Sequence, residues 1–102
     1  MASTIFKKNG TLLTVRPEGR LDLVSAPPLE TEIQQYLDGV RKVIMDFEDV
    51  EYITSAGLRL LVSVDRVMSE RGGDIKVIHA NRNVIDVFSL VNLTDMLDVE
   101  CG

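Results

Sequence analysis

The chain has 102 residues, a size typical of one domain, and 45% of them are hydrophobic, enough for a packed core rather than a disordered chain. The formal net charge of -5 argues against nucleic acid or an anionic membrane surface as the main partner, because both attract basic surfaces. No stretch approaches the roughly 20 apolar residues of a membrane span, and the first residues lack the apolar core of a signal peptide. The lone Cys101 cannot form an internal disulfide, which is typical of a reducing compartment. We expect one cytoplasmic domain, residues 1–102.

A β-hairpin is predicted at the start of the chain. Residues 5–7 and 11–16 flank Asn9-Gly10, a dipeptide that favours the positive φ of a hairpin turn. Pro17, Glu18 and Gly19 either end the second strand or bend it.

The first helix is predicted to begin after Ser25, a residue type that caps helices. The next residues include two prolines, which fit a first turn because its N–H groups have no helical partner. Gly39 is a typical residue for the C-terminal stop. Apolar residues recur between these limits at i, i+4, i+7 and i+8 and form one face: Leu29, Ile33, Tyr36 and Leu37.

A buried strand and a second helix are predicted next. Residues 43–45 form an apolar run with β-branched side chains that continues through Asp46 to Phe47, which is typical of a buried strand. Residues 48–51 carry three acidic side chains, and we interpret them as a solvated loop. The amphipathic pattern that follows predicts a helix over residues 55–70.

The last part of the chain repeats the alternation of strand and helix. Residues 75–78 predict a strand, and Asn81 or Asn83 is a candidate cap for a third helix. Residues 95–100 are a candidate edge strand. The order is therefore β-β-α-β-α-β-α with a terminal strand, which predicts an α/β domain whose mixed sheet of four to five strands is covered by helices.

Ser55 is the polar residue with the strongest functional interest. Its position at a helix start allows it to be an N-cap, and local sequence alone favours that interpretation. The same position suits a phosphoacceptor, because a phosphate there meets free N–H groups and the positive end of the helix dipole. Ala56 and Gly57 keep bulk away, so that an active site could approach.

Enzymatic and metal chemistry have weaker support. In a nucleophile elbow a glycine stands two residues before the serine, but this sequence has Ile53 there, and His79 is the only histidine available as a base. The acidic residues 46–51 match no calcium loop, and no zinc set is present. Glycine-rich phosphate loops are also missing. We expect no enzyme, no metal and no cofactor.

Two segments resemble the signature of STAS domains, and of bacterial anti-sigma factor antagonists in particular. The first is VIMDF followed by VEYITSAGL, residues 43–47 and 50–58, which resembles an apolar strand leading to Asp-Ser-(Ser/Thr)-Gly-Leu at a helix start. The second is Gly19-Arg20-Leu21-Asp22, which resembles the family's Gly-x-Leu-Asp. In this chain Thr54 stands where the family usually has the aspartate, and Ala56 stands where it has the second hydroxyl residue.

The resemblance implies a STAS-type fold and a partner switch. The unmodified protein would bind an anti-sigma factor that is also a serine kinase, a histidine-kinase-like ATPase, and so free a sigma factor. Phosphorylation at the position of Ser55 would break that complex, and a metal-dependent serine phosphatase would reset it. Thr54 is a second candidate acceptor. The partner-binding residues implied or inferred are Asp22, Thr54, Ser55, Ala56, Gly57 and Arg59.

Three alternatives remain open from the sequence. The chain could be a STAS module that is never phosphorylated, for example an accessory subunit of a transporter or a scaffold in a signalling assembly. It could instead be a small hydrolase that uses Ser55 and His79, or a nucleotide-binding protein. We expect a monomer.

Overall fold

The structure is a computed structural model that describes residues 4–91 and 98–101. Its elements, in chain order, are β1 (Thr4–Asn9), β2 (Leu12–Leu21), α1 (Ala26–Gln35), β3 (Lys42–Asp46), β4 (Asp49–Ile53), α2 (Ser55–Glu70), β5 (Asp74–Ala80), α3 (Arg82–Leu90) and β6 (Asp98–Cys101). The predicted α/β class is confirmed, and α2 has the predicted bounds. The predicted last strand is found as β6, although residues 95–97 lie outside the described residues.

The sheet has six strands, and its main path has five, as predicted. Five of them lie in the order β1-β2-β3-β5-β6, in which β1 is antiparallel to β2 and the other neighbours are parallel. The sixth, β4, pairs in parallel with the second half of β2. Because β2 has β1 and β3 beside its first half and β4 beside its second, it is the strand that links the two parts of the sheet.

The bend that allows β2 to pair with β3 along its first half and with β4 along its second lies at Gly19. The register between β2 and β4 shifts between Gly19 and Arg20, and Gly19 has a φ of +84°. Such a positive φ costs glycine little, because it has no Cβ to clash with the backbone. Of the two predicted outcomes for residues 17–19, the structure therefore shows the bend, and the strand continues to Leu21.

The prediction of an acidic loop over residues 48–51 is wrong, because Asp49–Ile53 is β4. Its buried residues are Val50 and Ile53, and its exposed ones include the acidic side chains. Its partner, residues 18–21, lies about thirty positions earlier in the chain. A strand held by a distant partner needs little local strand propensity, which explains why the acidic residues misled the prediction.

One face of the sheet forms the core with the helices. Alternate residues of β2, β3 and β5 are buried, as the period of a strand requires. They share one apolar cluster with buried residues of all three helices. The strand members of the cluster include Leu13, Val15, Val43, Met45, Ile75 and Val77. The other face of these strands is partly exposed, so the helices cover one side.

Asn81 joins α3 to β4. Its side-chain oxygen accepts a hydrogen bond from the N–H of Val84 at 3.0 Å, which makes it the N-cap and settles the choice between Asn81 and Asn83. Its side-chain amide donates to the carbonyl oxygens of Val50 and Glu51, at 2.9 and 3.0 Å. One side chain therefore satisfies a helix start and two strand carbonyls.

Replacing Asn81 separates these two roles. We expect Asn81→Ala to lower the free energy of unfolding by about 1–3 kcal/mol, because it removes a cap and two further hydrogen bonds. Asn81→Ser keeps a cap acceptor but loses the amide donors to the strand carbonyls, so its loss should be smaller. Urea denaturation measures both, with the exposed Asn83→Ala as control at within about 0.5 kcal/mol. Equal stability of Asn81→Ala and the control would contradict this role.

Candidate functional site

Ser55 is the first residue of α2, and Thr54 occupies the N-cap position. The interpretation of Ser55 as the N-cap is therefore wrong by one residue. The Ser55 side chain is exposed. Within residues 4–91 and 98–101, no group forms a hydrogen bond with its hydroxyl. The first-turn N–H groups beside it have no helical partner, as at any helix start.

The backbone N–H and the hydroxyl of Thr54 both form hydrogen bonds within the protein. Both its backbone N–H and its Oγ1 donate to the carbonyl oxygen of Leu21, at 2.9 and 3.2 Å. Its side chain is half-buried and does not cap α2. These bonds fasten the β4–α2 junction to the end of β2, and they leave Ser55 as the more accessible of the two hydroxyls.

Gly57 allows α2 to approach β2 closely. It is buried, and a Cβ added there would lie 2.9 Å from both the Cβ and the carbonyl oxygen of Leu21, and would overlap the Ile53 side chain. The space beside Gly57 is thus filled by the protein itself. The small size of Gly57 serves packing rather than access from outside, whereas Ala56 is half-buried and borders the surface.

The loop between β2 and α1 lies beside this junction and is organised by Asp22. Its Oδ1 accepts from the backbone N–H groups of Val24 and Ser25, both at 3.0 Å. The hydroxyl of Ser25 donates to the carbonyl oxygen of Arg20 at 2.6 Å and accepts from the N–H of Asp22 at 3.0 Å. Ser25 stands at the N-cap position of α1 as predicted, but its side chain makes no capping hydrogen bond.

The same hydrogen bonds lower the pKa of Asp22. The N–H of Ser25 is the largest cause, and burial opposes the shift only in part. A carboxylate that accepts backbone N–H groups is stabilised in its charged form.

A recess of about 320 Å³ joins the two loops. Leu23 from the β2–α1 loop lines it together with Ala56 and Arg59 of α2 and with residues of α1. On its α1 side, Glu30 accepts a hydrogen bond from the hydroxyl of Ser63 at 3.2 Å. Arg59 follows Ser55 by four residues, which places both on the same side of the helix. We call residues 22–25 and 54–59 the Ser55 surface.

Two exposed side chains of this surface were missed by the sequence predictions. Leu23 is 74% exposed and Val24 is 82% exposed. Two large aliphatic residues directly after Gly19-x-Leu21-Asp22 were the available signal, but a loop position alone does not show whether such side chains turn inward.

His79 lies near acidic residues at the ends of β3 and β5. Its Nδ1 is 2.8 Å from Oδ1 of Asp46, and ligand atoms of Asp46, Glu48 and His79 lie within 4.8 Å of one another, a spacing that could hold a metal ion. Arg16 pairs with Glu48 at 3.3 Å and with Asp49 at 2.9 Å, and its one positive charge offsets one of the negative charges.

None of the helices in the described residues is long and apolar enough to cross a membrane.

The family follows from comparison with known proteins. The model of the STAS domain matches residues 4–100. The chain belongs to the STAS domain family. The predicted resemblance is thus confirmed, over nearly the whole chain.

Known anti-sigma factor antagonists are similar to this domain in sequence and in fold. The anti-sigma-B factor antagonist of Bacillus subtilis is 26% identical over 93 residues, which cover 91% of this chain and 85% of that protein. An anti-sigma factor antagonist from Mycobacterium paratuberculosis has a TM-score of 0.87 at 21% identity, covering 100% of this chain and 87% of the other. The Bacillus cell fate determinant SpoIIAA, in its phosphorylated form, has a TM-score of 0.75 at 17% identity, with coverage of 95% and 90%.

The packing of Gly57 gives a direct stability prediction. We expect Gly57→Ala to lower the free energy of unfolding by about 1–3 kcal/mol, because overpacking against Leu21 outweighs the roughly 1 kcal/mol gain in helix propensity. Ser55→Ala, two residues away and exposed, should stay within about 0.5 kcal/mol of wild type. Thermal or urea unfolding measures both. A Gly57→Ala variant more stable than wild type would show that α2 does not lie this close to β2.

The lowered pKa of Asp22 predicts how the β2–α1 loop responds to acid. Because the folded-state pKa lies below the unfolded value of about 3.9, the stabilising contribution is present above that value and is lost as the pH falls through the folded pKa. NMR titration should give Asp22 a midpoint below that of an ordinary aspartate, with the amide signals of Val24 and Ser25 shifting at the same pH. Ser25→Ala keeps the backbone N–H that is the main cause of the shift, so it should raise the midpoint only in part and leave it below the ordinary value. A midpoint at or above the ordinary value would contradict the hydrogen-bonding pattern.

Proposed function

We propose that this STAS domain is an anti-sigma factor antagonist that works as a partner switch. With Ser55 unmodified it binds an anti-sigma factor that is also an ATP-dependent serine kinase, and phosphorylation of Ser55 releases that partner. A metal-dependent serine phosphatase restores the binding form. The cytoplasm, where sigma factors and ATP meet, is the compartment for this cycle. The observation that carries the proposal is the exposed hydroxyl of Ser55, which has no partner within the described residues.

The related proteins support this choice of function. The Bacillus subtilis relative is an anti-sigma-B factor antagonist, and SpoIIAA, an anti-sigma factor antagonist, has been solved in unphosphorylated and phosphorylated forms.

The start of α2 is well suited to carry a phosphate. A phosphoserine bears a charge of about -1.5 to -2, and the first-turn N–H groups with the helix dipole favour an anion there. Arg59, one turn further along α2, is exposed and forms no ion pair within the described part of the chain. It is available to the phosphate or to a carboxylate of the partner.

The same phosphate would disfavour a docked partner. A dianion at the centre of an interface must lose its water or face the partner's groups, and an unpaired buried charge is costly. A penalty of about 3 kcal/mol weakens binding roughly a hundredfold, which is sufficient for a switch. No rearrangement of the sheet is needed.

Thr54 changes the setting of the acceptor but is a poor acceptor itself. Where the family pattern has an aspartate, this chain has a hydroxyl that donates to the carbonyl oxygen of Leu21. We therefore propose Ser55, and not Thr54, as the phosphorylation site. Because Thr54 is neutral, the electrostatic potential around Ser55 is less negative than it would be beside an aspartate, and the kinase binds in that potential.

The acceptor is tested by incubating the protein with its kinase and ATP and measuring the intact mass. We expect a gain of one phosphate in wild type and in Thr54→Val, and none in Ser55→Ala. Thr54→Val is the matched control because it keeps the shape of the side chain without the hydroxyl. A gain that persists in Ser55→Ala and disappears in Thr54→Val would assign the site to the neighbouring residue.

Binding to the same kinase tests the switch itself. We expect Ser55→Ala to bind as wild type does, and Ser55→Asp and the phosphorylated protein to bind about a hundredfold more weakly. Isothermal titration calorimetry measures these affinities. If wild type binds but is never phosphorylated, the chain is a passive STAS interaction module, such as a transporter subunit or scaffold, and the proposed switch is wrong.

A further inference from the structure

We propose that Leu23 and Val24 form the apolar anchor through which this domain holds its anti-sigma factor, and that Asp22 positions them without itself contacting the partner. This inference rests on the proposed function, and it deepens it by naming the side chains that supply affinity. Leu23 is 74% exposed and Val24 is 82% exposed, on the loop beside Ser55.

The two side chains are exposed on a loop that is held in a defined shape. Asp22 receives the N–H groups of Val24 and Ser25, and its carbonyl oxygen accepts from the N–H of Ala26 at 2.9 Å. The hydroxyl of Ser25 links the loop to Arg20 on β2. Because this order exists before binding, a partner that packs on Leu23 and Val24 loses little affinity to ordering the loop.

The surroundings of the pair fit an interface anchor. Leu23 lines the recess of about 320 Å³ that it shares with Ala56 and Arg59. Val24 lines a second recess, also of about 320 Å³, whose other walls include Pro17 and Leu29. Leu23 and Val24 can pack on a partner, and the two recesses beside them can receive the partner's side chains. Residues that dominate binding energy usually lie in such a setting.

These contacts define the chemistry of the partner's surface. It should present aliphatic or aromatic side chains to Leu23 and Val24 and a carboxylate to Arg59. That carboxylate would also repel a phosphate on Ser55, since Arg59 lies one helical turn from it. The anchor thus supplies affinity and the neighbouring charges supply the response to phosphorylation.

Asp22 could act on the partner in two ways, which its contacts distinguish. A direct contact would have to use Oδ2, because Oδ1 already accepts two backbone N–H groups and the side chain is half-buried. An asparagine can accept the same two bonds without the charge. The conservative variant therefore separates loop geometry from charge.

The anchor is tested by titrating variants with the anti-sigma factor kinase that binds wild type. We expect Leu23→Ser and Val24→Ser each to weaken binding about tenfold, and the double variant about a hundredfold. The matched control is Ile5→Ser on β1. Ile5 is 61% exposed and lies opposite Arg16 on β2. The neighbours of Arg16 along β2, Val15 and Pro17, are buried against the helices, so Arg16 lies on the other face of the sheet. Ile5 shares that face because paired residues of two strands point the same way. The control should bind within about twofold of wild type.

The positioning role of Asp22 is tested in the same assay. We expect Asp22→Ala to bind about tenfold more weakly and Asp22→Asn to stay within about threefold of wild type. The amide NMR signals of Val24 and Ser25 should stay near their wild-type positions in Asp22→Asn and move in Asp22→Ala. Equal weakening of both variants would assign Asp22 to a direct charge contact and overturn this role.

The result of the binding assay separates failure of the anchor from failure of the proposed function. If wild type binds, phosphorylation releases the partner and the Leu23 and Val24 variants bind as tightly as Ile5→Ser, the anchor is wrong and the switch stands. If wild type does not bind the kinase at all, the proposed function fails and the anchor with it. Unfolding midpoints well above the assay temperature confirm that each variant is folded.

Discussion

The carbonyl oxygen of Leu21 accepts two hydrogen bonds from Thr54, one from its backbone N–H and one from its hydroxyl. The side chain of Leu21 is buried, and Gly57 packs against the same residue. These contacts fix where β4 ends, where α2 begins, and how the β2–α1 loop lies beside them. The position of Ser55 on the surface depends on this junction more than on any property of the serine.

A rigid surface of this kind suits regulation by a small chemical change. The core beneath it is one apolar cluster, and the polar groups of Asp22, Ser25 and Thr54 are satisfied within the loops. A phosphate on Ser55 adds charge and bulk outside these contacts. The free energy of the complex can therefore change by several kcal/mol while the fold of the free protein is kept.

The sequence predicts most of the elements because their signals are local. The apolar periodicity of residues 55–70 gave the bounds of α2, and Asn9-Gly10 gave the first hairpin. The strand β4 was missed because its pairing with residues 18–21 is remote in sequence and its exposed side chains are acidic. A local pattern cannot show that a distant strand will supply the hydrogen bonds.

In the candidate site, too, the features with local signals were predicted and those that depend on distant contacts were missed. The local pattern placed Ser55 at a helix start and Arg59 one turn beyond it, and the resemblance added Ala56. These residues lie beside the loop of Asp22. The sequence could not show that Thr54 rather than Ser55 is the N-cap, because that depends on the bonds to Leu21. Nor could it show that Leu23 and Val24 turn outward, which depends on the hydrogen bonds of Asp22.

The most direct test of the central claim is a comparison of the amide NMR spectra of the unmodified and Ser55-phosphorylated protein. If phosphate acts on a preformed surface, the shift changes will be confined to residues 22–25 and 54–59, and the amide signals of β3 and β5 will be unchanged. Shifts that extend through those central strands would contradict the claim, because they would show that release of the partner requires a rearrangement of the fold.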